Sequence, residues 1–339
     1  MAERLNLAVI GAGRIGRVHA ENLAFRIPQA RLVAVSDVIE SAARQAAAAY
    51  QIPKVYTDYR QALDDREVEA VVICSSTDTH AEIIEAAAQA GKHIFCEKPI
   101  ALDLERIDQA LAAVERAGVK LQVGFNRRFD PGFRRAREVV AMGRIGTPHV
   151  LRITSRDPEP PPISYVKVSG GLFLDMAIHD FDMARFLMGA EVEEVYAAGS
   201  VLVDPAIGEA DDIDTAVITL RFTTGALGVI DNSRKAVYGY DQRVEIFGSQ
   251  GMVMVGNRTP DNAVISDAQG VHGAKPLYFF VERYAEAYVE EMQAFVKSVL
   301  EDTAPPVTGV DGRIPVVMGY AARRSLEEHR PVRLDEISS

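Results

Sequence analysis

The first third of the chain alternates short apolar runs with alanine-rich helical stretches such as "SAARQAAAAY" and "AEIIEAAAQAG". The apolar runs are "LNLAVI" (5–10), "RLVAVS" (31–36), "EAVVIC" (69–74), "KHIFC" (92–96) and "KLQVGF" (120–125). Runs that are apolar on both faces and are joined by helices indicate a parallel sheet covered on both sides. The pattern therefore predicts a doubly wound α/β domain over residues 1–124.

The periodicity changes after residue 124. In "IDTAVITLRF" (213–222), alternate positions from Ala216 to Phe222 are apolar, which is typical of a strand with one buried face. "GALGVIDNS" and "QRVEIFG" continue as strands, and the amphipathic helices are predicted at about 282–301 and 312–328. Residues 125–339 therefore predict an α+β domain with an open, largely antiparallel sheet.

The segment "RDPEPPPISY" (156–165) interrupts this second region. Its many prolines exclude regular structure, so it is either a solvated loop or a lid over a site.

Bulk composition narrows the class of protein. A chain of 339 residues, 48% hydrophobic and 25% charged, fits two soluble globular domains. The net charge of -11 argues against nucleic-acid or anionic-membrane partners, because both favour a basic surface. We expect a cytoplasmic protein, since no apolar run approaches ~18 residues and "MAERLNLAVIGAG" lacks the regions of a signal peptide. Cys74 and Cys96 are too few for a disulfide framework or a zinc site, so we expect buried thiols.

The first chemical motif, "GAGRIG", follows the first predicted strand and opens a helix. Gly11 permits the tight turn, Gly13 lets a pyrophosphate approach the backbone, and Gly16 lets helix and strand pack closely. The helix N-terminus favours the phosphates. Asp37 ends the second strand, 21 residues beyond Gly16, where an acidic residue would hold the ribose hydroxyls. The motif predicts dinucleotide binding; the alternative is a structural turn with a surface aspartate.

Asp37 also indicates which dinucleotide is bound. Its carboxylate would repel a 2′-phosphate, and no arginine follows immediately in "SDVIES". We expect Arg44, in the next helix, to be a solvated side chain rather than a phosphate clamp. NAD is therefore favoured over NADP.

The second motif is "CEKP" (96–99), at the end of a predicted strand. Ligands bind beyond the carboxyl ends of the strands in an open parallel sheet, so Glu97 and Lys98 should lie at a cleft beside "CSSTDTH" (74–80). Lys98 is suited to donating a hydrogen bond to a substrate hydroxyl or alkoxide. The alternative is a surface lysine paired with Glu97, and His80 would serve the loop or the cofactor.

Asp175 and His179 interrupt an otherwise apolar segment, "GGLFLDMAIHDFD" (170–182). A carboxylate and an imidazole are costly to bury unless they are paired or functional. In a helix, positions four apart share a face, so the two side chains would be able to act together. The alternative is a core histidine satisfied by its carboxylate neighbour.

These motifs carry a family resemblance. "GAGRIG", "CEKP" and "GGLFLDMAIHD" occur in this order in the glucose–fructose oxidoreductase and inositol dehydrogenase family, and the similarity covers the whole chain. Within the family, the chain most resembles the inositol 2-dehydrogenases, through "GFNRRFDPGF", "SRDPEPPPISY" and "GGLFLDMAIHDFDMARFLMG". The resemblance implies a Rossmann domain followed by a substrate-binding and oligomerisation domain. It also implies an NAD-dependent enzyme, commonly a homotetramer, that oxidises a ring hydroxyl of a cyclic polyol, foremost myo-inositol to 2-keto-myo-inositol.

The resemblance also implies site residues. The family's catalytic lysine, aspartate and histidine fall on Lys98, Asp175 and His179. The predicted cofactor contacts are Gly11, Gly13, Arg14, Ile15, Gly16, Asp37, Ser75, Thr77, His80, Glu97 and Lys98. The predicted substrate contacts are Lys98, Asn126, Arg127, Asp157, Asp175, His179 and Tyr240. Phe129 stands where some relatives have tyrosine, so any hydroxyl contact made there is absent here.

Oxidation of an alcohol requires the hydroxyl proton to be removed while a hydride leaves the carbon. His179 is the expected general base, since an ordinary imidazole, with a pKa of ~6.5, is neutral near pH 7. Asp175 would orient the imidazole or hold a neighbouring hydroxyl, and Lys98 would stabilise the developing alkoxide. No metal is needed, because nicotinamide takes the hydride. The alternatives are a dehydrogenase of an aldose or another inositol isomer, a dinucleotide-sensing regulator, and an NAD-dependent glycosidase of the same fold.

Overall fold

A computed structural model of the protein describes residues 4–337, which divide into two units by their internal contacts. The first unit comprises the described residues up to Phe129 together with Glu286–Val316. The second unit comprises Asp130–Ala285 together with the described residues from Val317 onward.

The helices and strands follow in chain order. The chain begins with β1 (Leu5–Ile10), α1 (Arg14–Phe25), β2 (Ala30–Ser36), α2 (Glu40–Tyr50), β3 (Lys54–Tyr56), α3 (Tyr59–Asp64), β4 (Ala70–Ile73), α4 (Thr77–Gln89), β5 (His93–Glu97), α5 (Leu104–Ala117) and β6 (Leu121–Gly124). It continues with a 3-10 turn (Asn126–Phe129), α6 (Pro131–Ala141), β7 (Pro148–Arg156), α7 (Ile163–Ser169), α8 (Gly171–Asp175), α9 (Ala177–Met188), β8 (Val192–Ser200), α10 (Pro205–Glu209), β9 (Thr215–Phe222), β10 (Leu227–Ser233), β11 (Asp241–Gly248), β12 (Gly251–Val255), β13 (Val264–Asp267), β14 (Gly270–Gly273) and α11 (Phe280–Arg283). It ends with α12 (Ala285–Leu300), α13 (Gly309–Glu328), β15 (Val332–Arg333) and a second 3-10 turn (Leu334–Glu336).

Six strands of the first unit form one parallel sheet in the order β3-β2-β1-β4-β5-β6. The central strand β4 is buried at every position, and β1 at every position except Asn6, which is half-buried. Burial on both faces is the reason for their nearly continuous apolar sequence. The predicted doubly wound Rossmann sheet is confirmed. Strand β3 was not predicted from the sequence, because its three half-buried residues show no periodicity.

Seven strands of the second unit form a mixed sheet in the order β12-β11-β7-β10-β9-β8-β15. Within this sheet β7 and β10 pair in parallel, and the other neighbouring pairs are antiparallel. Strand β9 alternates buried and exposed positions from Ala216 to Phe222, as the sequence indicates. The predicted open, largely antiparallel sheet is therefore confirmed.

One face of this second sheet carries a row of exposed apolar side chains, which we call the open face. Strand register places them together, because Val217 and Leu227 alternate with buried positions and Phe247 pairs with Met252. The exposed members are Tyr196, Val217, Leu227, Phe247, Met252 and Met254.

The proline-rich segment is shorter than predicted. Strand β7 extends through Arg156, and α7 begins at Ile163, immediately after Pro162. The expectation that all of 156–165 lacks regular structure is wrong at both ends. Proline is compatible with a helix start, because its fixed φ suits the first turn and it has no N–H to leave unpaired.

Helix α12 lies in the part of the chain that the sequence analysis assigned to the second domain. Its residues Val289, Met292, Phe295 and Val296 pack into the same core as β1 and β2 of the first unit.

Cys96 is buried as expected, whereas Cys74 is half-buried, and neither forms a disulfide. Burial raises the pKa of both thiols. Within the described residues, no helix combines the length and apolar content needed to cross a membrane.

Candidate functional site

The glycine motif forms a tight turn between β1 and α1. Gly11 has φ +98, and a Cβ there would lie 2.6 Å from the main chain of Cys74. A Cβ on Gly16 would lie 1.9 Å from the carbonyl oxygen of Gly11, so helix and strand approach too closely for any side chain. By contrast, beyond Gly13 and its immediate chain neighbours, no described atom lies within 4 Å of the place that a Gly13 Cβ would take. Close packing at Gly11 and Gly16 with open space at Gly13 is the arrangement that a pyrophosphate requires.

The helix after this turn is positioned for an anion. Helix α1 starts at Arg14 and continues with Ile15, so the amides of its first turn lie directly beyond Gly13. Such amides bind phosphate oxygens. The predicted roles of Arg14 and Ile15 therefore concern their main chain and their place in the first turn.

Asp37 is held beside the glycine turn by two main-chain amides. Its Oδ2 accepts a hydrogen bond from Ala12 N at 2.7 Å, and its Oδ1 accepts one from Ile39 N at 2.8 Å. A carboxylate has about four acceptor sites, so the fixed group keeps capacity for two ribose hydroxyls. Arg44 pairs with Glu40 on the exposed surface of α2 at 2.6 Å, as expected for a solvated side chain. These residues fit NAD.

The loops after β4 and β5 are tied together by His80. Its Nδ1 is 2.8 Å from the carbonyl oxygen of Pro99, and its Nε2 is 3.0 Å from that of Ser75. His80 is buried and so has a structural role in the loop; its contact with the cofactor stays a prediction. Thr77 begins α4, at the carboxyl end of the sheet.

Glu97 and Lys98 lie at the carboxyl end of β5, as predicted, and both are half-buried. Oε1 of Glu97 is 2.7 Å from Nε2 of His19, a residue that the sequence analysis did not single out. Asn126 and Arg127 lie in the 3-10 turn after β6 and are buried, as is Phe129.

The segment with Asp175 and His179 is not one continuous helix. Helix α8 ends at Asp175, α9 begins at Ala177, and Met176 between them has φ -94 and ψ -59. The assumption of a single helical face is therefore wrong, although the neighbouring apolar residues are buried as expected. Asp175 and His179 are themselves half-buried, so both side chains reach the surface of the second unit.

The local backbone conformation requires the two glycines at the start of this segment. Gly170 has φ +86 and Gly171 has φ +77, which other residues rarely adopt. A Cβ on Gly171 would lie 2.6 Å from Oδ1 of Asp212. That carboxylate accepts a hydrogen bond from Leu172 N at 3.1 Å, so it caps the start of α8.

Asp175 belongs to a hydrogen-bonded network that links three segments of the second unit. Its Oδ1 accepts from the Tyr165 hydroxyl at 2.9 Å, and its Oδ2 is 3.0 Å from Nη2 of Arg234. Arg234 also contacts Oδ2 of Asp157 at 3.4 Å, so it brings the two predicted substrate carboxylates together. Tyr240, six positions after Arg234 in the sequence, is buried, and its ring lies edge-on to that of Tyr284.

Charge stabilises this network. Arg234 is 3% exposed; burial disfavours its charge, but Asp175 and Asp157 outweigh that cost and raise its pKa. Burial and then the charge of Asp175 raise the pKa of Tyr165, so its hydroxyl stays protonated and donates. Arg234 and Tyr165 were not predicted as site residues, because no motif or spacing in the sequence marks their contacts with Asp175.

The chain matches known domain families over most of its length. Residues 5–125 match the oxidoreductase family with an NAD-binding Rossmann fold, and residues 133–254 match the GFO/IDH/MocA C-terminal domain. The chain therefore belongs to the GFO/IDH/MocA oxidoreductase family, and its first unit is an NAD-binding Rossmann domain.

Similar full-length proteins carry inositol dehydrogenase names. The chain is 54% identical to the myo-inositol 2-dehydrogenase of Thermotoga maritima, over 98% of this chain and 99% of that protein. It is 46% identical to the inositol 2-dehydrogenase of Rhizobium meliloti, over 97% of this chain and 99% of that protein. The crystal structure of scyllo-inositol dehydrogenase from Lactobacillus casei, with bound NAD(H) and scyllo-inositol, matches with a TM-score of 0.92 at 31% identity. That match covers 98% of this chain and 100% of the other.

The environment of Asp37 predicts the effect of replacing it. Asp37→Ala removes the predicted ribose contacts and the repulsion of a 2′-phosphate, so NAD should bind more weakly and NADP more tightly. Hydrogen bonds to a charged group contribute ~1.5–3 kcal/mol, so the NAD/NADP preference, measured by fluorescence titration, should fall at least about tenfold.

Two further variants separate the causes. Asp37→Asn keeps an acceptor oxygen for the main-chain amides of the turn but loses the negative charge. It therefore separates the repulsion of a 2′-phosphate from the structural role of the side chain. Arg44→Ala is the control, because Arg44 pairs with Glu40 on the helix surface. An unchanged NAD/NADP preference in Asp37→Ala would mean that another group binds the ribose hydroxyls and excludes the 2′-phosphate.

Proposed function

We propose that the protein is an NAD-dependent inositol 2-dehydrogenase that oxidises myo-inositol to 2-keto-myo-inositol. The assignment of myo-inositol as the substrate rests on the 54% identity, over nearly the whole length of both chains, to a protein named myo-inositol 2-dehydrogenase. The network of Asp157, Asp175 and Arg234 supports it, since charged groups and hydroxyl donors of this kind recognise a ring of hydroxyls. We expect the enzyme to serve inositol catabolism, because oxidation with NAD is the catabolic direction. As the sequence suggests, we expect it to act in the cytoplasm.

The proposed chemistry divides the work among three side chains. When bound, NAD supplies the acceptor for the hydride. His179 accepts the hydroxyl proton as general base. Lys98 stabilises the charge that develops on the substrate oxygen. Asp175, fixed by Tyr165 and Arg234, accepts a hydrogen bond from a neighbouring substrate hydroxyl.

A substrate panel tests this proposal. Inositol isomers and aldoses are assayed with NAD, and NADH formation is followed by absorbance. Myo-inositol should give the highest kcat/KM of the panel. An aldose that exceeds every inositol by about tenfold or more would overturn the inositol assignment, and release of free sugar from an aryl glycoside without net NADH would indicate a glycosidase instead.

We also propose that the chain forms a homotetramer and that the open face of the second sheet takes part in self-association. Six exposed apolar side chains on one sheet face are costly in water, and burial against another copy of the same face removes that cost.

Sedimentation velocity at micromolar concentration tests the assembly. The wild-type chain should sediment as a tetramer, and Phe247→Glu should yield smaller species because it places a charge on the open face. Gln109→Glu, at an exposed position of α5 in the first unit, is the matched control. A monomeric wild-type protein would contradict the proposal.

A further inference from the structure

Three ionisable side chains form a cluster inside the first unit, and only one of them belongs to the predicted site. His19 lies on α1, Glu97 is the last residue of β5, and Glu291 lies on α12. His19 and Glu291 are fully buried, and the Glu97 side chain is 14% exposed. The closest donor and acceptor atoms of the three lie within 4.8 Å of one another.

The shortest contact in this cluster joins His19 to Glu97. Nε2 of His19 is 2.7 Å from Oε1 of Glu97, whereas no described residue offers Nδ1 a hydrogen bond. A neutral imidazole carries one N–H, so the tautomer protonated at Nε2 makes the one bond that this geometry offers. His19 therefore donates to the carboxylate of Glu97.

Packing leaves this pair little freedom. The His19 ring lies edge-on to Phe95 at 5.0 Å and to Tyr288 at 5.7 Å, measured between ring centroids. A Cβ on Gly124, in the neighbouring strand β6, would lie 3.0 Å from Oε2 of Glu97. The His19 ring and the Glu97 carboxylate are thus both closely packed, so we expect a change in either one to affect the end of β5.

Glu291 borders the pair as a group whose neutral form is favoured. Burial, and then the charge of Glu97, raise its pKa, and neither of its carboxyl oxygens has a hydrogen-bond partner among the described residues. The other groups that face it are His19 and the thiol of Cys74, while Gln122 donates to its main-chain carbonyl at 2.7 Å. Of the two carboxyl groups, it is that of Glu97 which His19 contacts directly.

We propose that His19 is a positioning residue for Lys98, acting through Glu97. Lys98 is the next residue along the chain, so the hydrogen bond that fixes Glu97 also fixes the point at which Lys98 leaves β5. Without this hydrogen bond, Oε1 of Glu97 has no donor although it is largely buried. The carboxylate then reorients toward another donor or cation. The cation nearest to it in sequence is the adjacent Lys98. This role rests on the proposed function, in which Lys98 acts on the substrate oxygen.

Two replacements of His19 separate the hydrogen bond from the packing of the ring. His19→Phe keeps an aromatic ring but removes the donor, whereas His19→Gln places an amide N–H near the position of Nε2 but removes the ring. Misplacing a reacting group by ~1 Å costs roughly 10²-fold, so His19→Phe should lower kcat by about 10- to 100-fold. The Kd for NAD should change less than kcat, because Asp37 and the glycine turn are untouched and only the predicted contacts of Glu97 and Lys98 are disturbed.

His19→Gln should recover kcat to within about fivefold of the wild-type value. A role in ring packing alone predicts the reverse order, with Gln the slower variant. That order, or a native kcat in His19→Phe, would overturn the proposal.

The tautomer of His19 gives a readout that does not depend on turnover. In heteronuclear NMR of histidine-labelled protein, the signal absent from His19→Gln identifies His19. It should report a ring that carries a proton on Nε2. A ring protonated only at Nδ1 would overturn the proposed contact. If wild-type protein oxidises no inositol but shows the Nε2 tautomer, the proposed function fails while the His19–Glu97 contact stands.

Discussion

His179→Ala is expected to lower kcat by ~10²–10⁴, the usual contribution of general acid–base catalysis. The protein should fold and bind NAD normally, because the glycine turn and Asp37 lie in the first unit and His179 in the second. Steady-state kinetics with saturating NAD and substrate measures the loss. His272→Ala, at an exposed position in β14, is the matched control and should keep native turnover.

The alternative for His179 is a purely structural histidine, and it makes the opposite prediction. Removal of the ring would then lower the melting temperature and leave the kcat of the folded protein nearly native. The pH profile gives a second distinction. A general base must be unprotonated to act, so wild-type kcat should rise with pH through one ionisation, and His179→Ala should lose that dependence.

The cofactor half of the protein was predictable because its signals are local in sequence. At Gly16, a Cβ would lie 1.9 Å from a main-chain oxygen, so only glycine fits there. The constraint is therefore visible in the sequence at that position. Each buried parallel strand likewise shows as an apolar run between two helices. Asp37 was identifiable by its distance along the chain from the turn, which the βαβ unit sets.

The partners of the site residues were not predictable in the same way. Asp175 binds Arg234, a residue 59 positions away, through a contact that only the folded sheet creates. The break at Met176 was hidden because the residues around it, apolar apart from charged or polar positions such as Asp175 and His179, would suit a straight helix equally well. Helix α12 packs into the same core as β1 and β2, strands at the opposite end of the chain, and an amphipathic pattern does not say which sheet it faces.

Lys98→Ala is expected to lower kcat by a factor comparable with that for His179→Ala. The lost group is the cation that stabilises charge developing on the substrate oxygen, and removing one such group typically costs ~10²–10³ in kcat. Lys98→Arg should not restore the rate, since a planar guanidinium does not replace a compact ammonium in a shaped site. Lys297→Ala, an exposed residue on α12 that pairs with Glu301, is the control and should retain native kcat.

The double variant decides whether Lys98 and His179 act on the same step. Groups that act as a unit show strongly non-additive losses, because removing the first already forfeits most of what the second contributes. The variant lacking both side chains should therefore be slower than the worse single variant by no more than about tenfold. If the two losses multiply in full, the residues act independently, and the assignment of both to one substrate hydroxyl is wrong.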